Sequence, residues 1–332
     1  MLRITDNTTL LTSPGRTFDT YFEKQNLAVF DIETTGLNPT SSRLILSGII
    51  SVNSSGAFFT QLLAEDLSDE KHVIEETCSV LSKADIIITY NGRHFDIPFL
   101  KKRASAYGIS VPDKYNLDLY TLVRDYSALG DMLSGLKQKN IEEFLGISTF
   151  RSDTISGYES VRLFERYLNT GSFALRNKIL LHNADDIRQL YRLLPVIRST
   201  DFHKAMFRTG FPVRQGYIKS CRLSGKNLVV KGILNPPCDY ISFPTTDAPY
   251  SVRAVRADKS VEVVFPCEST KGVTFLDAIR ILGSEAAHEL ESLPGVESGY
   301  LICSTGNEIS YMEINLFVRE FFSRCVSHML KV

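Results

Sequence analysis

The sequence predicts an α/β fold with a mixed five-stranded sheet flanked by helices, followed by an antiparallel β-rich (α+β) region. Three observations carry that expectation. Short apolar runs rich in strand formers recur through the first half of the chain. The segments between the later runs have helical spacing, which implies crossovers. After Thr200 the pattern changes to short strand-like runs separated by turns.

Residues 27–32 (LAVFDI) form an apolar run ended by the turn signal Thr34-Thr35-Gly36, and so read as a buried strand. Arg43–Val52 and Ala57–Leu63 are the next two strands, joined by the hairpin-type turn Asn53-Ser54-Ser55-Gly56. His72–Ser82 carries Val73, Ile74, Cys78 and Leu81 at helical spacing. Asp85–Tyr90 is a further buried strand. Phe95–Tyr107 follows as a helix with Pro98 near its first turn, where proline is tolerated. Tyr115–Leu119 is the fifth strand. From Leu122 to Arg198 the pattern is mainly helical, and its longest segment, Phe173–Leu194, has neither proline nor glycine. Tight turns make the first strands antiparallel, and the later crossovers make their neighbours parallel, so the sheet is expected to be mixed.

Beyond Thr200 the expected strands are Tyr217–Arg222, Asn227–Ile233, Tyr240–Phe243, Tyr250–Val255, Val261–Phe265, Tyr300–Ser304 and Glu308–Glu313. Helices are expected at Phe275–Leu282, Ser284–Leu293 and Asn315–Met329. A chain of 332 residues suggests two domains, here 1–200 and 201–332.

Composition narrows the classes. A net charge of -1 excludes a polycation, so any nucleic-acid contact needs a local basic patch. No run of about 20 apolar residues suggests a membrane span. Residues 1–23 lack a basic-then-apolar leader pattern. The six cysteines are scattered without a CxxC pair, which removes zinc-site spacing and fits a reduced, cytoplasmic setting.

The chemistry is concentrated in three places. In Phe30-Asp31-Ile32-Glu33-Thr34-Thr35-Gly36, Asp31 and Glu33 stand two apart at a strand end, so both carboxylates project from one face. Such close like charges resist ionisation, and a divalent cation removes the conflict. The competing reading is a strand end whose acids face water. In Tyr90-Asn91-Gly92-Arg93-His94-Phe95-Asp96-Ile97-Pro98, Asp96 opens a helix, where an ordinary N-cap is the alternative. In His182-Asn183-Ala184-Asp185-Asp186, His182 and Asp186 share a helix face. Asp185, about 100° around the helix, is expected to face water. Asp118 is expected to cap a helix.

These three segments resemble the exonuclease motifs of the DEDD branch of the RNase H-like superfamily. The match is closest to the YprB-type RNase H-like exonucleases, which are similar to the proofreading domains of family B DNA polymerases. Asp31 and Glu33 match the first motif, Asn91-Gly92 and Phe95-Asp96-Ile97-Pro98 the second, and His182 with Asp186 the third. The resemblance covers about residues 25–200. It implies a 3′–5′ exonuclease acting on DNA or RNA, with a single-stranded end as its substrate. It also implies two Mg²⁺ or Mn²⁺ ions held by Asp31, Glu33, Asp96 and Asp186, with His182 orienting or deprotonating the attacking water. Tyrosine-type members place Tyr four residues before the last Asp, and histidine-type members place His five before it. Here His stands at the four-residue spacing. Thr34, Thr35 and Asn91 are expected to contact substrate, with turn formation as the alternative.

From Phe202 to Cys238 there is no Asp or Glu, while basic residues including Arg214, Lys219 and Arg222 interleave with Phe207, Phe211 and Tyr217. Such a stretch suits single-stranded nucleic acid, or else forms an ordinary solvated face. The alternative function is a nucleic-acid-binding protein that keeps the RNase H-like fold with weak or no turnover. A third reading is an oligomeric scaffold assembled through the β-rich region.

Overall fold

Six strands make the first sheet, one more than the sequence suggested. They are β1 (Leu2–Asn7), β2 (Leu27–Thr34), β3 (Leu44–Asn53), β4 (Gly56–Leu63), β5 (Ile86–Thr89) and β6 (Tyr115–Asp118), in the order β1-β4-β3-β2-β5-β6. The added strand, β1, pairs antiparallel with β4 at the sheet's edge. It was missed because Arg3, Thr5, Asp6 and Asn7 leave it largely exposed, without a buried apolar run. The β2–β3–β4 meander is antiparallel, and β5 and β6 run parallel to β2. The sheet is therefore mixed.

This computed structural model describes residues 1–9, 14–152, 157–283 and 294–326. Its contacts divide the chain into two compact units, Met1–Thr200 and Asp201–Val332. In the first unit the helices are α1 (Arg16–Phe22), α2 (Glu70–Ser82), α3 (Asp96–Ser105), α4 (Leu119–Tyr126), α5 (Leu129–Met132), α6 (Gln138–Phe144), α7 (Gly157–Thr170) and α8 (Phe173–Arg192). Strand residues Phe30, Leu46, Ile49 and Leu62 share one buried cluster with Val73 and Ile74 of α2, Phe99 and Leu100 of α3, Phe164 of α7 and Ile179 of α8. Burying a side chain of that size contributes about 1.5–3 kcal/mol. The packing therefore fixes where β2, α3 and α8 meet.

One charged group is locked into this core. Glu70 is fully buried and receives hydrogen bonds from Arg103 (Nε 2.7 Å, Nη2 2.6 Å), Tyr107 Oη (2.6 Å), Arg43 Nη1 (2.9 Å) and the Leu44 backbone N–H (2.9 Å). Burial alone would raise its carboxyl, but these donors outweigh it and hold the group at about 2.

In the second unit, α9 (Phe202–Thr209) precedes an antiparallel sheet of β7 (Phe211–Val213), β8 (Gly216–Ser224), β9 (Asn227–Leu234), β10 (Tyr240–Ser242), β11 (Ser251–Val255) and β12 (Ser260–Pro266), ordered β10-β11-β12-β9-β8-β7. The Phe265 ring of β12 stacks edge-on against Phe317 and Phe321 of the helix Tyr311–Phe321. A second antiparallel sheet comprises Glu268–Thr270, Val273–Asp277, Val296–Glu297, Tyr300–Thr305 and Glu308–Ile309.

Three boundaries in this unit differ from expectation. Phe275 and Leu276 are in a strand paired with Ile302 and Leu301, and the helix begins only at Ala278, capped by Asp277. The run 308–313 is a strand only to Ile309, because Tyr311 starts a helix and packs on Phe207. That helix begins four residues before the expected Asn315. The expected helix at Ser284–Leu293, and the end of the last one at Met329, lie outside the described residues. Among the described residues no helix is long and apolar enough to cross a membrane.

Candidate metal centre

Strand β2 brings its acids to the sheet's centre. Asp31 and Glu33 alternate with Ile32, so both carboxylates leave the same face of the strand. Ile32 contributes its backbone instead: its N–H donates to Asp96 Oδ1 at 3.2 Å. Asp96 is the first residue of α3, and the N-cap position is taken by Phe95, which makes no side-chain cap bond. The Asp96 carboxylate is thus turned to β2 rather than capping its own helix. Asp118 does cap, accepting the Thr121 N–H at 3.1 Å.

Helix α8 supplies the third side. The Nε2 atom of His182 lies 3.7 Å from Glu33 Oε1 and 3.5 Å from Asp186 Oδ2. One ligand atom each from Glu33, His182 and Asp186 fall within 4.8 Å of one another. Glu33, Asp96 and His182 are buried, and Asp31 and Asp186 are half-buried.

Electrostatics connects the four carboxylates. Burial, then the negative charges of Asp96, Asp186 and Glu33, push the Asp31 carboxyl well above the usual range, opposed by a hydrogen bond from Asn183. Burial likewise pushes Asp96 up to about 7; backbone hydrogen bonds oppose it, and Asp118 and Glu33 add to it. Closely set carboxylates of this kind cannot all ionise cheaply without a cation. Hard oxygen donors with one imidazole suit Mg²⁺ or Mn²⁺. The residues present therefore fit such ions.

Several participants escaped sequence reasoning. Asn183 is fully buried and its Nδ2 donates to Asp31 Oδ2 at 3.2 Å. Its Oδ1 accepts from Gln61 Nε2 (3.0 Å), which also donates to the Leu180 carbonyl (2.8 Å). Beneath it lies Gly48 of β3, where a Cβ would sit 2.2 Å from Asn183 Oδ1. Two signals pointed this way: Asn183 stands three residues before Asp186, hence near it on the helix surface, and Gln61 interrupts an apolar strand. Arg151 pairs with Glu142 (2.7 Å) and with Asp186 Oδ1.

One expectation is corrected. Asp185 does not face water; it is buried, and its Oδ2 accepts the Ser152 N–H at 2.7 Å. The reason is that α8 is covered on more than one side: Gln189 reaches Ile147 O, and Gln138 reaches Asp186 O.

The remaining site residues are placed as follows. Thr34 Oγ1 donates to Gly36 O (2.8 Å), and Thr35 Oγ1 accepts the Arg43 N–H (2.9 Å), so both hydroxyls hold the turn after β2. Asn91 has a left-handed backbone (φ 64°) and donates its N–H to Asp118 Oδ1 at 3.1 Å. Arg214 is exposed in the turn between β7 and β8, and Lys219 and Arg222 are exposed on β8.

With this geometry in place, similarity to known proteins can be weighed. Residues 28–197 match the family model described as the RNase_H superfamily. The chain belongs to that superfamily. It is 31% identical over 96 residues to a DNA polymerase of Methanocaldococcus jannaschii, a match covering 26% of this chain and 6% of the polymerase. It is 44% identical over 50 residues to DNA polymerase 1 of Pyrococcus abyssi, covering 14% of this chain and 6% of that protein. A third relative is an uncharacterized protein of M. jannaschii, 28% identical over 176 residues, covering 51% of this chain and 94% of the relative. Among solved structures, the family B DNA polymerase of Pyrobaculum calidifontis aligns with a TM-score of 0.43 and 21% identity, over 52% of this chain and 24% of that one. The chain thus spans a small part of the polymerases it matches. The RNase H-like fold and the polymerase likeness read from the motifs are borne out. Membership in the superfamily supports a nuclease-type function, with a nucleic-acid substrate and divalent metal ions.

Proposed function

We propose that this protein is a two-metal-ion 3′–5′ exonuclease. The observation that carries the proposal is the meeting of Asp31, Glu33, Asp96, His182 and Asp186, drawn from three separate segments, at one end of β2. When bound, Mg²⁺ or Mn²⁺ neutralises the carboxylates and stabilises charge on the attacking and leaving oxygens of a phosphodiester. Asp31, Glu33, Asp96 and Asp186 would hold these ions, Asp31 from among the other three carboxylates.

His182 Nε2 orients the attacking water and takes its proton, a role open to an imidazole nitrogen. A second reading gives that nitrogen to a cation, because Nε2 lies close to both Glu33 and Asp186. Arg151 positions Asp186 by holding Oδ1, while Oδ2 faces His182. The terminal nucleotide rests against the turn formed by Thr34 and Thr35, through backbone groups, since both hydroxyls are engaged. Asn91, whose N–H donates to Asp118, braces the turn that leads into α3. On the second unit, Arg214, Lys219 and Arg222 contact nucleic acid.

The test is digestion of end-labelled single- and double-stranded DNA and RNA with Mg²⁺ or Mn²⁺, resolved on a sequencing gel. A ladder shortening from the 3′ end is expected on single strands. Binding without cleavage in either metal would instead identify a nucleic-acid-binding protein that keeps the fold without turnover.

A further inference from the structure

The sheet β7–β12 has one face packed and one open. Leu228, Val230, Val252, Val261, Val263 and Phe265 are buried on the packed face. Residues alternating with them form the other face, and there cations dominate. Arg253 of β11, Glu262 of β12, Lys231 of β9 and Ser220 of β8 lie in register, side by side across four strands. At a strand spacing of about 4.8 Å, Arg253 and Lys231 stand roughly 10 Å apart. Lys219 sits where the β8–β9 register shifts, between Ile218 and Ser220, a bulge that turns its side chain outward.

Arg253, Lys231 and Lys219 line a groove of about 510 Å³ whose apolar lining includes Ile233 and Val255. Arg222 lies two residues beyond Ser220, facing the same way. Among the described residues lining this face the acids are Glu262, which pairs with Lys231 at 3.1 Å, and Asp258, which interacts with Lys219. Four cations against two acids leave the face positive. At its β10 edge Ile241 is exposed and in register with Arg253, and Phe243, just past the strand, is 73% exposed.

Spaced cations over an apolar floor, with an exposed aromatic at the rim, are what a single-stranded nucleic acid requires. Phosphates meet the cations while bases lie on apolar and aromatic surface. We propose that this open face binds single-stranded nucleic acid, with Lys219, Lys231 and Arg253 as its phosphate contacts. The inference rests on the nucleic-acid reading of the first unit. It adds a binding surface built from strands far apart in sequence, including Lys231 and Arg253. A protein partner is the competing occupant, but the excess of cations favours a polyanion.

The experiment uses full-length protein and a fluorescein-labelled 20-nucleotide oligothymidylate in EDTA, with affinity read by anisotropy from 50 to 300 mM KCl. The variant K219E/K231E/R253E is expected to bind at least tenfold more weakly at 50 mM. Its log–log salt slope should be shallower by about 2, at about 0.7 per lost single-strand contact. The neutral variant K219Q/K231Q/R253Q, which avoids new repulsion, should show the same slope change, and thermal melting checks that both fold. Equal affinity and slope in the wild type and a folded variant overturn the proposal, as does a wild type that binds no oligonucleotide. Because binding is read without hydrolysis, failure of the nuclease reading shows separately, as intact substrate in Mg²⁺ or Mn²⁺ alongside a normal binding curve.

Discussion

Asn183 donates a hydrogen bond from Nδ2 to Asp31 Oδ2 at 3.2 Å, across 152 positions of sequence. The same amide is fixed from behind by Gln61. Asp31 is therefore oriented by a chain running from β4 through α8 to β2. Partners that orient metal ligands typically matter 10–100-fold in metal affinity or activity. Asn183→Ala is expected to weaken Mn²⁺ binding within that range while leaving the protein folded. Isothermal titration with Mn²⁺ checks it, and an unchanged affinity would make the bond incidental.

Asp31→Ala and Asp186→Ala are each expected to reduce hydrolysis to near the detection limit, with circular dichroism unchanged. Asp31 stands among other acids, and Arg151 keeps Glu142 as its partner when Asp186 is lost, so either substitution removes a proposed cation ligand without opening the core. EDTA should abolish activity, and added Mn²⁺ should restore it. Full activity in EDTA would exclude a metal-dependent reaction.

Stability without metal should fall as pH rises from about 4 to about 7. Asp31 and Asp96 have folded-state pKa values above the unfolded value near 3.9, with Asp96 at about 7. In that window the folded state binds more protons than the unfolded state, so raising the pH favours unfolding. Above the folded-state values of both groups the penalty is constant. Divalent cations bind the ionised carboxylates, so stabilisation by Mn²⁺ should be larger at pH 8 than at pH 5. Melting curves in EDTA and in Mn²⁺ across this range test both statements, and Asp96→Asn should flatten the slope in EDTA.

Glu70 acts in the opposite direction and at lower pH. Its folded-state pKa of about 2 lies below the unfolded value, so its contribution is present above about 4.5 and lost as pH falls toward 2. Glu70→Gln leaves Arg103 buried without its counter-charge. Breaking such a pair costs roughly 3–5 kcal/mol. Urea denaturation at pH 7 should show a loss of that order.

His182→Ala separates the two roles open to its imidazole. As the group that accepts the water's proton, its loss should slow single-turnover cleavage about 10²–10⁴-fold with little change in metal affinity. As a ligand, its loss should show first as weaker Mn²⁺ binding, with activity recovering at high Mn²⁺. The wild-type rate should rise with pH and level off in the first case. If neither quantity changes, the ring serves packing alone.

Much of the first unit was legible because its strands β2 to β5 are largely apolar runs and its helices keep a 3.6-residue period. Strand β1 was not, because an edge strand needs no buried face. The acids Asp31 and Glu33 declared themselves by standing two apart in an apolar strand. Asp96 was ambiguous, since a carboxylate opening a helix looks like a cap until its bond to Ile32 is seen. The burial of Asp185 was illegible because it depends on Ser152, 33 residues away, arriving at its side of α8. In the second unit Phe275 and Tyr311 misled, since short apolar stretches fit a strand or a helix equally well until their partners are known.

Gly48 has a consequence for anyone who would harden this protein. It occupies a central strand, where a propensity table recommends valine or isoleucine. Yet the space those side chains would enter is already taken by the amide that steadies Asp31. A library sorted only for heat resistance could accept such a replacement by displacing α8, and would report an improved scaffold. The damage would appear elsewhere, as a protein that melts later and no longer collects its ions. At this position the hydrogen atom that stands for a side chain belongs to the chemistry, though it lies inside the sheet.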